Sequence, residues 1–404
     1  VIICIEKKFN LFKKLAQMNE IDHVFTLEKD GSGTLVNESD HSVHEFKTIE
    51  TSSNHIAALL YSSGTTGRPK GIMLSHKNLI SNTKTLSEYW EFTNEDVLLH
   101  ALPIFHVHGL FVAIGCALYS GATMCWLEKF NVEKIIANLP SCSVLMGVPT
   151  YYTRLLASSE FSEKTCANMR VFISGSAPLL EETFHEFEQL TGHKILERYG
   201  MTETNMNTSN PISGQRKPGT VGPPLPGVEV RVVDDNENDL GINEIGNLLV
   251  RGSNVFEGYW KMPEKTEEDF TRDGYFKTGD KAKIDEDGYV SIVGRSKDMI
   301  ISGGLNVYPK EVELILDDID GVNESAVIGV PHQDLGEAVV AVVVKNKTST
   351  EITAQILIEK TKKELAGYKV PKQIIFVDAL PRNTMSKVQK NVLRDTHKLT
   401  FNQS

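Results

Sequence analysis

Cysteine is scarce in this chain, and no stretch stays apolar for long. Five cysteines (Cys4, Cys116, Cys125, Cys142 and Cys166) stand among 404 residues. Their number is odd and their spacing fits no metal-binding pattern, which argues against a disulfide-stapled scaffold or a zinc ribbon. Most lie in apolar runs and read as reduced core residues, as expected inside a cell, in the cytoplasm or a mitochondrion. No apolar run reaches the roughly 18 residues that a membrane-spanning helix needs. Basic residues are also in deficit. Lys and Arg number 42 against 53 Asp and Glu, a net charge of -11, which argues against nucleic acid as a main partner. Internal repeats and low-complexity tracts are absent. The first residue is Val1, not Met. The opening "VIICIEKKFNLFKKLAQ" reads as a strand and an amphipathic helix rather than a signal or transit peptide. The chain is therefore expected to begin inside a domain, with any targeting segment out of view.

What is present is an ordinary globular composition, 40% hydrophobic and 24% charged, long enough for two or three domains. Short apolar runs, "IAALLYSSG" (56–64), "VLLHALP" (97–103), "SVLMGVP" (143–149) and "RVFISGSAP" (170–178), read as buried strands ending in Gly, Pro or Ser. Helical patterns such as "HKNLISNTKTLSEYW" (76–90) lie between them. That alternation predicts α/β layers with functional loops at the strand ends. From about 218 hairpin-like runs ("VEVRVVDD", "GNLLVRG", "AKIDEDGYVSIVGR") predict a β-rich subdomain over 218–296. Residues 297–404 read as a compact α+β unit. The expected fold class is α/β: a large N-terminal domain of layered α/β subdomains with its β-rich subdomain (1–296), and a small mobile α+β C-terminal domain (297–404).

Five segments carry chemistry. In "SSGTTGRPKG" (62–71) the residues Ser62, Ser63, Gly64, Thr65, Thr66, Gly67, Arg68, Pro69 and Lys70 supply glycines, hydroxyls and a cation suited to an anion. The spacing fails the Walker A pattern. With Tyr61 ending a strand and a helix following, the loop is expected to aim N–H groups at a phosphate; a flexible surface turn also fits. In "ERYGMTET" (197–204) Thr202 could hydrogen-bond a phosphate. Glu203 could ligate Mg²⁺, a hard ion held by one or two carboxylates plus phosphates; a capped helix start also fits. In "GYFKTGD" (274–280) Asp280, at the end of a strand-like run, could accept ribose hydroxyls. "GRSKDMIISGGLNVYPKEVE" (294–313) presents Arg295, Lys297 and the pair Gly303–Gly304. "PRNTMSKVQKNVLR" (381–394) presents Lys387 on a Pro-bounded loop.

Read together, these five segments resemble the adenylate-forming superfamily, the acyl- and aryl-CoA ligases, in order and wording from about residue 56 to 395. "LPIFHVHGLFVA", "LMGVPTYYTRLL", "FISGSAPLL", "ERYGMTETNMNTSNP" and "LPRNTMSKVQKNVLR" look most like the malonyl-CoA synthetases. About 100 N-terminal residues expected for that group are absent. The resemblance implies ATP, Mg²⁺ and coenzyme A as cofactor and co-substrates. A carboxylate attacks the α-phosphate of ATP to give an acyl-AMP and pyrophosphate, and the CoA thiol then displaces AMP. It implies that residues 62–70 hold the β- and γ-phosphates. Thr202 and Glu203 serve the phosphates and metal. Ser174, Gly175, Ser176 and Tyr199 flank the adenine, Gly200 and Met201 also belong to the nucleotide site, and Asp280 and Arg295 fix the ribose. Lys387 reaches carboxylate and α-phosphate, Lys297 is the hinge of a rotating C-terminal domain, and Gly303 and Gly304 belong to the face that then forms the CoA tunnel.

For malonate, the pocket must hold a second carboxylate and so needs a cation or several donors. Arg154 is the expected partner, with Arg198 its rival. The resemblance places His106 and His108 at a position that lines the acyl pocket, His106 also being a candidate catalytic group, and Val107 and Met206 are expected to limit its size to malonate or methylmalonate. The alternatives are another short, aryl or fatty acid, or an inactive truncated family member. Partners are expected to be small molecules, with the chain a monomer or weak homo-oligomer.

Overall fold

The computed structural model describes residues 1–39, 47–62, 69–346, 352–383 and 387–401. The chain divides into two compact units, Val1–Ser52 and Ser53–Ser404. In the first, the strand Ile2–Cys4 pairs in parallel with Val24–Thr26. The helix Phe9–Met18 connects them and buries Ala16.

The second unit is built around a six-stranded sheet. Its order is Asn205–Ser209, Leu196–Met201, Val171–Ser174, Val144–Gly147, Val97–His100, Thr123–Trp126. All neighbours are parallel except the hairpin formed by Asn205–Ser209 and Leu196–Met201. Val144–Gly147 and Val171–Ser174 are buried along their whole length, which explains their unbroken apolar runs: a parallel strand is covered on both faces. The next strands in the chain after Val97–His100 lie on opposite sides of it. Its carboxyl end is therefore a topological switch point, the place where α/β sheets bind ligands.

Local chemistry sets the connections. The helix His76–Tyr89 opens on a capping box: Ser75 Oγ accepts from Asn78 N, and Asn78 Oδ1 accepts from Ser75 N at 2.8 Å. Such a cap contributes about 1 kcal/mol. Farther along this helix, Asn82 donates to the Met206 carbonyl (2.8 Å) and accepts from its N–H. At its end Trp90 Nε1 donates to Ser209 Oγ (2.9 Å). The helix is thereby bolted to the strand Asn205–Ser209.

A three-stranded sheet joins Ile56–Ser62, Lys70–Ser75 and Gly258–Tyr259, all antiparallel. The phosphate-loop sequence therefore follows one strand and precedes another, not a helix, because Lys70–Ser75 intervenes before the helix. No helix N-terminus follows this loop directly. The β-rich region is an antiparallel sheet in the order Val228–Val233, Gly246–Gly252, Phe276–Ile284, Val290–Arg295. Asp280 sits inside the third of these strands rather than at its end.

The C-terminal region has its own sheet, with Val322–His332 and Gly336–Lys345 as a long hairpin. Helices Pro309–Asp317, Ala354–Glu364 and Lys390–His397 complete it. Its apolar cores, drawn from residues between Ile300 and Leu393, are separate from the main core between Ile72 and Val290. The expected α/β class, with a large N-terminal and a small C-terminal part, holds. Among the described residues, no helix is long and apolar enough to cross a membrane.

Candidate active site

The switch-point strand ends at His100, and the chain then turns into a π-helical segment, His108–Ala113. Such segments are uncommon and cluster at functional sites. His108 is 5% exposed. Its Nδ1 lies 3.2 Å from Ser176 Oγ, and its Nε2 has no partner. Ser176 adopts φ 71, a left-handed conformation rare for a residue with a side chain; strain of this kind accumulates where function holds the backbone. Burial pushes His106 down to about 4, with Lys387 adding to the effect. Burial likewise pushes His108 well below its ordinary value, helped by Arg198. Both imidazoles are therefore neutral near pH 7 and supply donors rather than charge. Val107 and Met206 are buried nearby in sequence and strand.

The two arginines part company. Arg154 is exposed on the helix Pro149–Leu156, whose buried face is Tyr151, Tyr152 and Leu155. Arg198 is 2% exposed, on the strand Leu196–Met201. Its Nε and Nη2 have no hydrogen-bond partner. Burial lowers its pKa to about 10, so it stays charged at neutral pH. Its guanidinium lies against Gly175, at the end of the strand that closes with Ser174.

The hairpin turn after this strand carries Thr202 and Glu203; it is not a helix start. Gly200 makes the turn possible, because a Cβ there would stand 1.9 Å from the Asn205 carbonyl. Asn254 locks it by donating to the Thr204 carbonyl (2.7 Å), while Asn205 donates to the Asn254 carbonyl. Glu203 is 8% exposed. Burial raises its pKa, offset at a distance by Arg295 and Lys70 and by the Tyr259 hydroxyl, 3.4 Å away. Lys70 is the first residue of its strand and makes an ion pair with Asp269 at 3.8 Å. Pro69 precedes it and Ser62 ends the partner strand. Ser63, Gly64, Thr65, Thr66, Gly67 and Arg68 lie outside the described residues.

Asp280 and Arg295 are cross-strand partners, Arg295 Nε donating to Asp280 Oδ1 at 2.7 Å. The Tyr199 hydroxyl donates to Asp280 Oδ2. Asp280 is 3% exposed, and burial raises its pKa against the pull of Arg295. An ionised carboxylate has about four acceptor positions, so this one retains capacity for hydroxyls. Tyr199 leads on through the strand to Gly200 and Met201.

Lys387 is exposed. Desolvation of its ammonium lowers its pKa, with Arg295 and Arg198 adding to the fall and Asp280 and Glu203 opposing it. Its loop is closed by Asn383, whose Oδ1 accepts from Lys387 N at 3.0 Å. Lys297 lies in the 3₁₀ turn Ser296–Asp298, next to Arg295. Gly303 and Gly304 form the left-handed turn of the hairpin Ile300–Ser302 and Leu305–Val307, well suited to two glycines. The hairpin exposes Ile301 and Leu305.

Sequence reasoning missed Tyr259, Asp269, Asn82 and Asn254. Asn82 and Asn254 bond to the backbone of "TETNMNTSN" from distant positions in the chain, so no local pattern marked them. The partners of Tyr259 are far away in sequence and left no signal.

The arrangement gathers Lys387, Arg295, Arg198 and Lys70 around two buried carboxylates, a set suited to a multiply charged anion. The family model "AMP-binding enzyme" matches residues 1–260, and "AMP-binding enzyme C-terminal domain" matches residues 311–387. The chain belongs to the AMP-binding enzyme family. It is similar to a probable CoA ligase of Humulus lupulus, 41% identical over 96% of this chain and 67% of that protein. It is also similar to a malonate–CoA ligase of Arabidopsis thaliana, 40% identical over 84% of this chain and 60% of that protein. Among solved structures it resembles ATP-bound MatB from Rhodopseudomonas palustris, with 53% identity and a TM-score of 0.96 over 99% of this chain and 79% of that one. The chain thus spans about two-thirds or less of the length of these curated relatives.

Proposed function

We propose that this chain carries out the ATP-dependent ligation of malonate, or methylmalonate, to coenzyme A through a malonyl-AMP intermediate. The observation that carries the choice of acid is Arg198. A buried guanidinium with two unpartnered nitrogens is costly unless an anion completes it. A monocarboxylate, its one carboxylate spent on the reaction, would leave it alone; the distal carboxylate of malonate would fill it. Because His106 and His108 are neutral, that charge balance falls to Arg198. Arg154, exposed on its helix, has the weaker claim. The malonate–CoA ligase among the relatives supports the same reading.

In the first step a carboxylate oxygen bonds to the α-phosphorus and the bond to the β-phosphate breaks, releasing pyrophosphate. Lys387 would offset charge on both reacting groups. Lys70 and the loop before it serve the departing phosphates, and Asp280 and Arg295 the ribose. In the second step sulfur bonds to the acyl carbon, the thiol proton is given up, and AMP leaves with the oxygen. A lysine fixed between carboxylate and phosphate would obstruct that thiol. We infer that residues 297–404 rotate about Lys297, withdrawing Lys387 and bringing the Gly303–Gly304 hairpin to the cleft. The separate apolar cores on either side of that position support such a movement.

Mg²⁺ fits the donors present. Glu203 is a single buried hard ligand, and no cluster of three His, Cys, Asp or Glu among the described residues could cage a metal alone. Glu203 would be the residue that holds the ion beside the nucleotide phosphates, and the ion would supply neutralisation of their charge. The five unpaired cysteines favour a reducing compartment, cytoplasm or mitochondrion.

The test is pyrophosphate release across a panel of mono- and dicarboxylic acids, with and without CoA. Release with malonate and methylmalonate, well above that with acetate, benzoate or a fatty acid, is expected. Equal release with monocarboxylates overturns the choice of acid, and no release with any acid overturns the activity.

A further inference from the structure

Behind the candidate phosphate site lies a polar chain that the reaction scheme above leaves unused. Lys70 Nζ stands 4.5 Å from the centre of the Tyr259 ring, on its face, and 3.8 Å from Asp269 Oδ2. The other Asp269 oxygen is 2.9 Å from Lys265 Nζ. The Tyr259 hydroxyl lies 3.4 Å from Glu203 Oε1 and also interacts with the Asp269 carboxylate. One phenol thus touches both the cation meant for the outgoing phosphates and the carboxylate meant for the metal.

Backbone pairing makes this arrangement stiff. Tyr259 stands opposite Ile72, and Gly258 opposite Met73. Side chains two apart on a strand share a face, so Lys70 and Tyr259 lie on one face of adjacent strands. Trp260 N donates to the Gly71 carbonyl at 2.7 Å, and Phe256 N to the Glu203 carbonyl at 2.8 Å. Segment 256–260 is therefore hydrogen-bonded to the strand of Lys70 and to the turn of Glu203. Asp269 is anchored by its own N–H to Lys265 and by its carbonyl to Lys277 N. Tyr259 is 3% exposed and Lys70 keeps 15% of its side-chain exposure. A lysine here has four rotatable bonds and would otherwise sample many rotamers.

We propose that Tyr259 and Asp269 are positioning residues of the nucleotide site. Asp269 and the aromatic face hold the Lys70 ammonium, and the hydroxyl holds the Glu203 carboxylate, so that cation and metal ligand face the same phosphates before nucleotide arrives. The pair does not touch the reacting atoms; it removes the ordering cost that Lys70 and Glu203 would meet on binding. The proposal rests on the nucleotide-site reading given above, but not on the identity of the acid.

The two residues separate by readout. Asp269→Asn removes the charge facing Lys70 and is expected to weaken ATP about tenfold, the scale of one charge-assisted contact. Tyr259→Phe keeps the ring under Lys70 and removes the hydroxyl, so the half-saturating Mg²⁺ concentration rises several-fold, more than the loss of ATP affinity at saturating Mg²⁺. Tyr259→Leu, losing both, combines the two effects. Calorimetric titration of ATP at fixed Mg²⁺, and of Mg²⁺ at fixed ATP, measures this without an acid substrate. Melting temperatures within a few degrees of wild type establish that the variants fold. ATP and Mg²⁺ titrations equal to wild type in Asp269→Asn and Tyr259→Phe overturn the proposal. Wild-type protein that binds ATP–Mg²⁺ but releases no pyrophosphate with any acid overturns the ligase reading and leaves the titrations to decide this one.

Discussion

The guanidinium of Arg198 occupies the space that a side chain at Gly175 would need: a Cβ there would lie 2.3 Å from Nη1 and 2.4 Å from Cζ. The absence of a side chain at one strand end is what lets the charge on the neighbouring strand lie flat against it. Gly175→Ala should push the guanidinium aside. The expected result is a KM for malonate raised about tenfold, one charge-assisted contact, with the KM for ATP within about twofold. An unchanged malonate KM would show that Arg198 does not depend on this contact.

Removing the charge itself should cost more. Arg198→Leu is expected to raise the malonate KM by a factor on the order of 10², as for loss of one partner from a buried ion pair. Arg154→Leu, on an exposed helix face, should change it by about twofold or less. Kinetics of both variants with malonate decide between them, and the reverse ranking would return the role to Arg154.

Lys387→Ala should divide the two half-reactions. Pyrophosphate release is expected to fall by roughly 10²–10³, the usual loss of a preorganised electrostatic group. Thioester formation from supplied malonyl-AMP should persist if the lysine serves only the first step, as proposed. Equal loss in both assays would count against that division.

His100 offers a stability test. It is 1% exposed, both ring nitrogens lack partners, and its ring lies 4.6 Å from that of Trp126. Burial pushes its pKa down to about 4. A histidine kept neutral by the fold binds its proton more readily when unfolded. Its contribution is therefore complete above about pH 6.5 and is lost as pH falls toward 4, by up to about 1.4 kcal/mol per pH unit. His100→Phe keeps the stacking and cannot titrate. Urea unfolding at pH 7.5, 6 and 5 should show the wild type losing more than the variant by about 1–2 kcal/mol at pH 5. Parallel losses would assign the acid sensitivity elsewhere.

Much of the fold was legible because parallel strands buried on both faces leave unbroken apolar runs, as in Val144–Gly147 and Val171–Ser174. The strand Lys70–Ser75 was missed: it carries no break before the following helix, and only its pairing with Ile56–Ser62 and Gly258–Tyr259 makes it a strand. Arg154 could have been placed from the pattern alone, since Tyr151, Tyr152 and Leu155 define a helix face that excludes it. Nothing local marked Arg198 as the arginine without partners.

The chain by itself determined the order of its chemical groups, from the glycine- and hydroxyl-rich loop through Glu203 and Asp280 to Lys387, because each group travels with short-range backbone signals. Only the tertiary structure decided which charges are paired and which are left open. Asp280 meets Arg295 and Tyr199, Lys70 meets Asp269, and Arg198 meets no carboxylate at hydrogen-bond distance among the described residues. The reason is physical: burial and pairing depend on residues brought together from distant positions, and a charge acquires its function from the partner it lacks as much as from the one it has.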